Sequence, residues 1–332
     1  MHSWAEVYLP GGQPPRVGDR FVQRDLAGTL QYMADCEAKT AGDRETGLVA
    51  ARDAFYRGDI ARTIAAFHKQ NGGLLTLEDL AEYSSEVEET LSVNFQGVDV
   101  HGCGAWCQGP SMLQIFQMLE IGKVSARGHN TSDYVHEFVE IIKLAFADRH
   151  SHSGDPRFVS PPLERLLSRE YAHEQLSRID PGRAFHALPV RDGYADPLSS
   201  VTPGLSELAT PASLDTSYIC VVDRWGNAFS ATPSDVSFDT PVIPGTGLAV
   251  SSRGSQSWSD PDHPSSVRPG KRPRLTPSPA LAVIANTPSG VKRMTNFITR
   301  VSASPRTSRR SCSRRSSSCS SSAGCSRRKR YR

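Results

Sequence analysis

The period of the hydrophobic pattern changes once along this chain of 332 residues, and that change dictates its fold class. Up to about residue 190, apolar side chains recur every three to four positions; beyond about residue 200 they alternate, as in half-buried strands. A mainly helical part followed by a strand-rich part predicts an α+β architecture rather than repeated βαβ units. In the helical part, Leu26, Leu30 and Met33 place a helix over Arg24–Ala38. Asp59 is a candidate N-cap for a second helix with the stripe Ile60, Ile64, Ala65 and Phe67, stopped by Gly72-Gly73. His68, beside that stripe, reads as a surface residue. Thr76 and Asp79 have the spacing of a capping box, with Asp in place of Glu or Gln. The clearest helix covers Asp133–Arg149, with Val135, Phe138, Val139, Ile142 and Phe146 on one face and Glu137, Glu140 and Lys143 off it. Strand pairs are expected at Ser92–Gly97 with Val98–Gly102 and at Ser217–Asp223 with Asn227–Thr232. Gly226 is placed for positive φ in the second turn. Residues 233–279 are rich in Ser, Pro and Gly and read as loops, and Ala280–Ile284 is the last apolar strand.

The formal charge of +3 is unevenly divided. Residues 302–332 hold ten basic residues, twelve serines and no acid, whereas residues 1–301 hold 28 basic and 35 acidic groups, a net of −7. The tail cannot bury enough apolar surface to offset its conformational entropy and is expected to be disordered. It reads as an Arg/Ser segment for RNA or phosphorylation, or as coding sequence in the wrong frame, since GC-rich DNA out of frame yields Arg, Ser, Pro and Cys. The acidic body gives no reason to expect a nucleic-acid partner. No apolar run approaches the ~18 residues of a membrane span, so no membrane partner is expected. Residues 1–6 show neither the basic nor the apolar part of a signal peptide. Cys36, Cys103, Cys107 and Cys220 lie in the body, and Cys312, Cys319 and Cys325 in the tail. Cys103 and Cys107 make a C-x3-C without a second pair at zinc-site spacing; they read as buried structural cysteines, with a thiol or disulfide role as the alternative.

No phosphate-binding loop, dinucleotide fingerprint, zinc-protease helix or serine-hydrolase elbow occurs in its required context. The informative stretch is Leu214-Asp215-Thr216-Ser217-Tyr218-Ile219-Cys220-Val221-Val222-Asp223-Arg224-Trp225-Gly226-Asn227-Ala228. Other pieces flank it in a fixed order: Gly18–Ala27, Phe55–Gly58, Asn71–Leu80, Ala147–Arg149 with Gly154–Pro156, Gly245–Gly247 and Lys271–Pro273. The ordered set, over roughly residues 15–290, resembles the γ-glutamyltranspeptidase family of N-terminal nucleophile hydrolases. The resemblance implies an incomplete αββα sandwich. Its parts are a mainly helical large-subunit-like region (1–215), a β small-subunit-like region (216–301) and the tail (302–332).

The chemistry implied is that of an autoprocessed Thr. A hydroxyl is a poor nucleophile until a base takes its proton. A cut between Asp215 and Thr216 gives Thr216 a free α-amino group, with a reference pKa of about 7.7 to 8, able to be that base. Ser234 matches the hydroxyl residue that steadies the catalytic Thr. In Leu275–Pro279, Thr276 and Ser278 match the family's serine-rich loop against the substrate carboxylate. Gln256 falls where the family has the acid that pairs with the α-amino group of a glutamyl substrate. The family's Gly-Gly pair, whose N–H groups form the oxyanion hole, does not appear after Gly290. Without the resemblance, Thr216 is an ordinary strand Thr, Ser234 a loop serine and the 275–279 stretch a turn. The implied partners are a small-molecule amide or γ-glutamyl compound such as glutathione, and a heterodimer of the chain's own two cleavage products. No cofactor or metal is implied, and relatives are often periplasmic or secreted. The alternatives are an inactive relative of the same family and an acylase on a non-glutamyl amide.

Overall fold

A computed structural model describes residues 2–190, 217–235, 240–284 and the backbone of 293–295. Asp215, Thr216 and the tail with its three cysteines lie outside the described residues. Helices α1 (His2–Tyr8), α2 (Arg24–Lys39), α3 (Arg44–Tyr56), α4 (Asp59–Gln70) and α5 (Leu77–Glu82) come first. A hairpin of β1 (Leu91–Phe95) and β2 (Val98–Gly102) leads to α6 (Gly109–Ile121), α7 (Ser132–His152), α8 (Leu163–Leu166) and α9 (Arg169–Leu176). The second part is β: hairpin β3 (Ile219–Val222) and β4 (Ala228–Ala231), hairpin β5 (Val242–Ile243) and β6 (Leu248–Ala249), then β7 (Ala280–Ile284) and β8 (Arg293–Thr295). The α+β architecture expected from the change of period is the one observed.

Strands β1, β2, β7 and β8 form one antiparallel sheet in that order. The β2–β7 pairing sets Val100 opposite Ala282, both almost fully buried, and so joins the helical and strand-rich parts of the chain through one backbone ladder. Leu113 of α6 packs with Val93 and Val100 on this sheet. A second cluster joins Met118, Ile141, Leu144, Ala145 and Ala172 from α6, α7 and α9. A third sets Ile60, Ala61 and Ile64 of α4 against Leu80 and Ile243.

Several local expectations change on contact with tertiary structure. Gln96 and Gly97 leave the first strand and make the hairpin turn, at φ 52° and 81°. Asp59 is the first helical residue rather than the cap: Gly58 occupies the N-cap, and the Asp59 carboxylate accepts from Arg62 and from the Tyr32 hydroxyl. The Thr76–Asp79 capping box is present in both directions, at 3.2 and 2.8 Å. His68 is half-buried rather than on the surface. Of the four cysteines in the body, only Cys107 is buried; Cys36, Cys103 and Cys220 are half-buried.

Helix α7 shows the largest difference. Its buried positions include Glu140, Ile141, Leu144, Ala145 and Asp148, while Val135 is 47% exposed and Val139 39%. The inward face carries two carboxylates because each finds donors there. Glu140 accepts from Lys143 Nζ and from the Phe185 N–H, both at 2.8 Å. Asp148 accepts from Gln114 Nε2 (3.0 Å), Gln175 Nε2 (3.1 Å) and the Tyr171 hydroxyl (2.8 Å). Buried polar groups are tolerated when satisfied in this way, and a face assigned from hydropathy alone takes no account of donors arriving from α6 and α9.

The end of α7 also fixes the loops of the β part. Gly154 has no room for a side chain, since a Cβ there would lie 2.5 Å from the Pro264 carbonyl oxygen. The Ser265 hydroxyl donates to Ser153 O at 2.8 Å. Asp155, 1% exposed, accepts from the Arg157 guanidinium (2.7 Å), the Arg157 N–H (3.0 Å) and the Arg272 N–H (2.8 Å). Burial by itself raises this carboxyl; the hydrogen bonds from Arg157 and Arg272 outweigh it and bring it down to about 2. A depressed carboxyl contributes stability that is full above its unfolded pKa and is lost as the pH falls through its folded value. We predict that Asp155→Asn costs roughly 2 kcal/mol at neutral pH. In urea titrations the gap between the two proteins narrows as the pH falls below about 4 towards about 2.

Candidate active site

The hairpin that follows Thr216 in sequence is built to hold its first strand still. Ile219–Val222 is rich in β-branched residues, which suit a pleated strand. Its turn closes on Asp223, whose carboxylate accepts from the N–H groups of Trp225 and Asn227, both at 2.9 Å, and from Asn227 Nδ2 at 2.8 Å. Gly226 supplies the positive φ of 87°. At the opposite end, the Tyr218 hydroxyl lies 2.8 Å from Ser230 Oγ and donates to Ala280 O at 3.3 Å, while Ser230 Oγ accepts from the Ala280 N–H at 3.2 Å. The start of β3 is thereby tied to the start of β7.

Beyond β4 the chain meets Arg253, which sits in a short 3-10 turn (Arg253–Gln256) and is 8% exposed. Its Nη2 donates to both the carbonyl and the hydroxyl oxygen of Ser234, each at 2.8 Å. Its Nη1 donates to Thr276 Oγ1 at 2.8 Å. Gln256, in the orientation that satisfies both ends of its amide, accepts from Nη1 at 2.9 Å and donates to Arg274 O at 3.1 Å. Asp235 lies 3.6 Å from Arg253 Nε and accepts from the Ser251 hydroxyl at 2.8 Å. One guanidinium therefore gathers Ser234, Gln256 and Thr276. Towards this guanidinium the hydroxyl oxygens of Ser234 and Thr276 act as acceptors.

Thr276 is also fixed from behind. Gln108 Nε2 donates to Thr276 O at 2.8 Å, and the Leu275 N–H donates to Trp106 O at 2.8 Å. Arg149 of α7 donates to Leu275 O at 3.1 Å, and Arg274 donates to Arg149 O at 2.9 Å. Burial lowers both guanidinium pKa values, and with the added repulsion of Arg149 the value for Arg274 falls to about 10. Trp258 and His263 stack beside them and His150 meets both edge-on, with ring centroids 4.3 to 4.9 Å apart. Burial first, and then the neighbouring His150 and Arg274, brings His263 down to about 4, so at neutral pH its imidazole adds no charge.

Ser278 stands apart from the Arg253 group: its hydroxyl lies 3.8 Å from Met112 Sδ. Asp215 and Thr216 lie outside the described residues, and Ser217, the first described residue after them, is exposed. Arg253 itself was not among the residues singled out from the sequence. A signal for it exists, because it is the only Lys or Arg between Arg224 and Arg268, in a segment full of hydroxyl groups.

Comparison with known proteins gives the family of the chain. The family profile described as gamma-glutamyltranspeptidase matches residues 1–292. The chain is 31% identical over 282 residues to the acylase ACY 1 proenzyme of Pseudomonas sp. (strain SE83), covering 84% of this chain and 45% of that protein. It is 30% identical over 279 residues to the glutathione hydrolase-like YwrD proenzyme of Bacillus subtilis (strain 168), covering 83% and 46%. Among solved structures, the cephalosporin acylase from Bacillus halodurans superposes with a TM-score of 0.65 at 29% identity, over 85% of this chain and 45% of that one. The γ-glutamyltranspeptidase of Helicobacter pylori gives 0.50 at 26% identity, over 61% and 54%. The chain spans about half the length of the curated relatives it matches. Its fold is of the N-terminal nucleophile hydrolase type, and the chain belongs to the γ-glutamyltranspeptidase family.

Proposed function

We propose that this chain carries the amidohydrolase chemistry of an N-terminal nucleophile enzyme, with Thr216 as nucleophile and an acyl site organised by Arg253. The observation that supports this reading is the convergence of Ser234, Gln256 and Thr276 on one buried guanidinium. In the proposed processing step, the Thr216 hydroxyl oxygen attacks the Asp215 carbonyl carbon, and the resulting ester is hydrolysed by water, freeing the α-amine. In turnover, that amine takes the proton from its own side chain, the oxygen attacks the substrate amide, and the leaving amine departs with the proton. Water, or a second amine, then resolves the acyl-enzyme. The two cleavage products stay together as a heterodimer, joined by the β2–β7 ladder. Ser234 steadies Thr216 by donating its hydroxyl hydrogen, and Thr276 and Ser278 receive the far end of the acyl group.

Gln256 argues for the class of acyl group. A glutamyl α-ammonium needs a carboxylate partner, and at this position a neutral amide is engaged by Arg253 and by Arg274 O. An ammonium beside Arg253 meets like charge, whereas an acyl chain lacking the amino group does not. The relatives named acylases fit this side of the family. A second reading is a catalytically silent family member, on which Gln256 in place of an acid at the acyl site also bears.

Three outcomes are expected. The chain hydrolyses a glutaryl anilide at least ~10-fold faster, in kcat/KM, than the γ-glutamyl anilide that differs only in its α-amino group. The Gln256→Asp variant narrows that ratio, because a charge-assisted contact is regained. A preference for the γ-glutamyl compound contradicts the acyl assignment, and a processed chain that releases neither anilide favours the silent reading. Arg253→Lys, which keeps the charge but loses the fork, slows appearance of the two fragments by about tenfold on denaturing gels; an unchanged time course removes Arg253 from its organising role.

A further inference from the structure

The loop between β2 and α6 carries two thiols four positions apart that differ in access. Cys103 is half-buried and lines a cleft of about 530 Å³ together with Glu86, Glu88, Trp106 and Arg272. Cys107 is 1% exposed and is not among the residues lining that cleft. A tight turn brings the two together: the Cys107 N–H donates to Gly104 O at 3.1 Å, and Gly109, which opens α6, lies so close to Cys103 O that only a residue without a Cβ fits. The neighbouring Cys107 thiol, acting as hydrogen-bond donor against burial and the Glu88 charge, brings the Cys103 thiol down to about 7. The same bond, with burial, pushes Cys107 upward. From the β part, Arg272 faces the pair, its guanidinium 4.6 Å from the Trp106 ring centroid and paired with Glu86 at 3.3 Å and Glu88 at 3.2 Å.

We propose that Cys103 and Cys107 form a reversible dithiol–disulfide site that reacts with small soluble disulfides, glutathione disulfide being the probe, Cys103 attacking from the cleft and Cys107 resolving from behind. The Cys103 thiolate attacks one sulfur of glutathione disulfide, and one glutathione thiolate leaves. Cys107 then gives up its proton and attacks the Cys103 sulfur, expelling the second glutathione thiolate. The two protein thiols are oxidised by two electrons, the glutathione disulfide is reduced to two thiols, and the two protein protons end on those thiols. Division of roles follows from access and acidity, since exchange needs a thiolate that the oxidant can reach. The site is independent of the acyl chemistry proposed above. It is nonetheless coupled in space to Thr276, because the Leu275 N–H donates to Trp106 O and Gln108 Nε2 donates to Thr276 O.

The test uses the full chain, equilibrated in glutathione buffers from fully reduced to fully oxidised, quenched by alkylation, digested and mapped by mass spectrometry. The expected result is a peptide holding Cys103 and Cys107 that is doubly alkylated from reducing buffer and, from oxidising buffer, takes up no alkyl group and is two hydrogen atoms lighter than the free dithiol, reverting on reduction. In Cys107→Ser, Cys103 stops at the mixed stage and carries one glutathionyl group; in Cys103→Ser, Cys107 stays unmodified in the folded chain. The proposal is overturned if the wild-type peptide stays doubly alkylated under oxidising buffer while Cys36 or Cys220 takes glutathione. It is equally overturned if Cys107 in Cys103→Ser reacts as fast as Cys103 does in the wild type.

Discussion

The site of this protein is arranged around one guanidinium withdrawn from water, whose two terminal nitrogens both find acceptors. Arg253 is 8% exposed, and its fork reaches Ser234 just after β4, Thr276 just before β7 and Gln256 in its own turn, with Asp235 as the nearby carboxylate. The rigid spacing of the guanidinium N–H groups fixes where these loops stand relative to one another. Without Arg253, the hydroxyls of Ser234 and Thr276 lose their shared donor, and the cost of an abandoned polar group exceeds the worth of the bond it made. The loops carry little apolar surface of their own, so this polar hub stands in for a hydrophobic core.

Around that hub lies a frame that ties the helical part to the strand-rich part. Arg149 and Arg274 link α7 to the loop before Thr276, a half-buried and a buried cation each donating to a main-chain carbonyl. Asp155 accepts from Arg157 and from the Arg272 N–H, and the β2–β7 ladder completes the connection. Charge in this frame is carried by groups with partners, while His263 beside it is held neutral by burial at ordinary pH. The loop bearing Thr276 is thus fixed by α7 on one side and by the Cys103–Gln108 turn on the other.

Much of the fold was legible in the sequence because the relevant signals are local. The capping box at Thr76, the Asp223–Asn227 turn and the apolar run Ala280–Ile284 each depend on residues within a few positions of one another, and the structure shows all three. The face of α7 was misread because Glu140 and Asp148 are buried only by virtue of donors from Phe185, Gln114, Tyr171 and Gln175, remote in sequence. Asp59 is not the cap because its carboxylate is claimed both by a local donor, Arg62, and by a remote one, Tyr32. At the site, family resemblance picked out Ser234, Gln256 and Thr276 one by one. Arg253, which joins them, makes contacts 19 and 23 positions away and carries no motif of its own.

The most direct measurement is the amino-terminal sequence of every fragment present in the purified full-length protein. If Thr216 is the nucleophile served by this site, a second terminus reading Thr216-Ser217-Tyr218 appears in the wild type and is absent from Thr216→Ala. A wild-type chain that stays whole, or a cut that leaves a different first residue or persists in Thr216→Ala, contradicts the assignment.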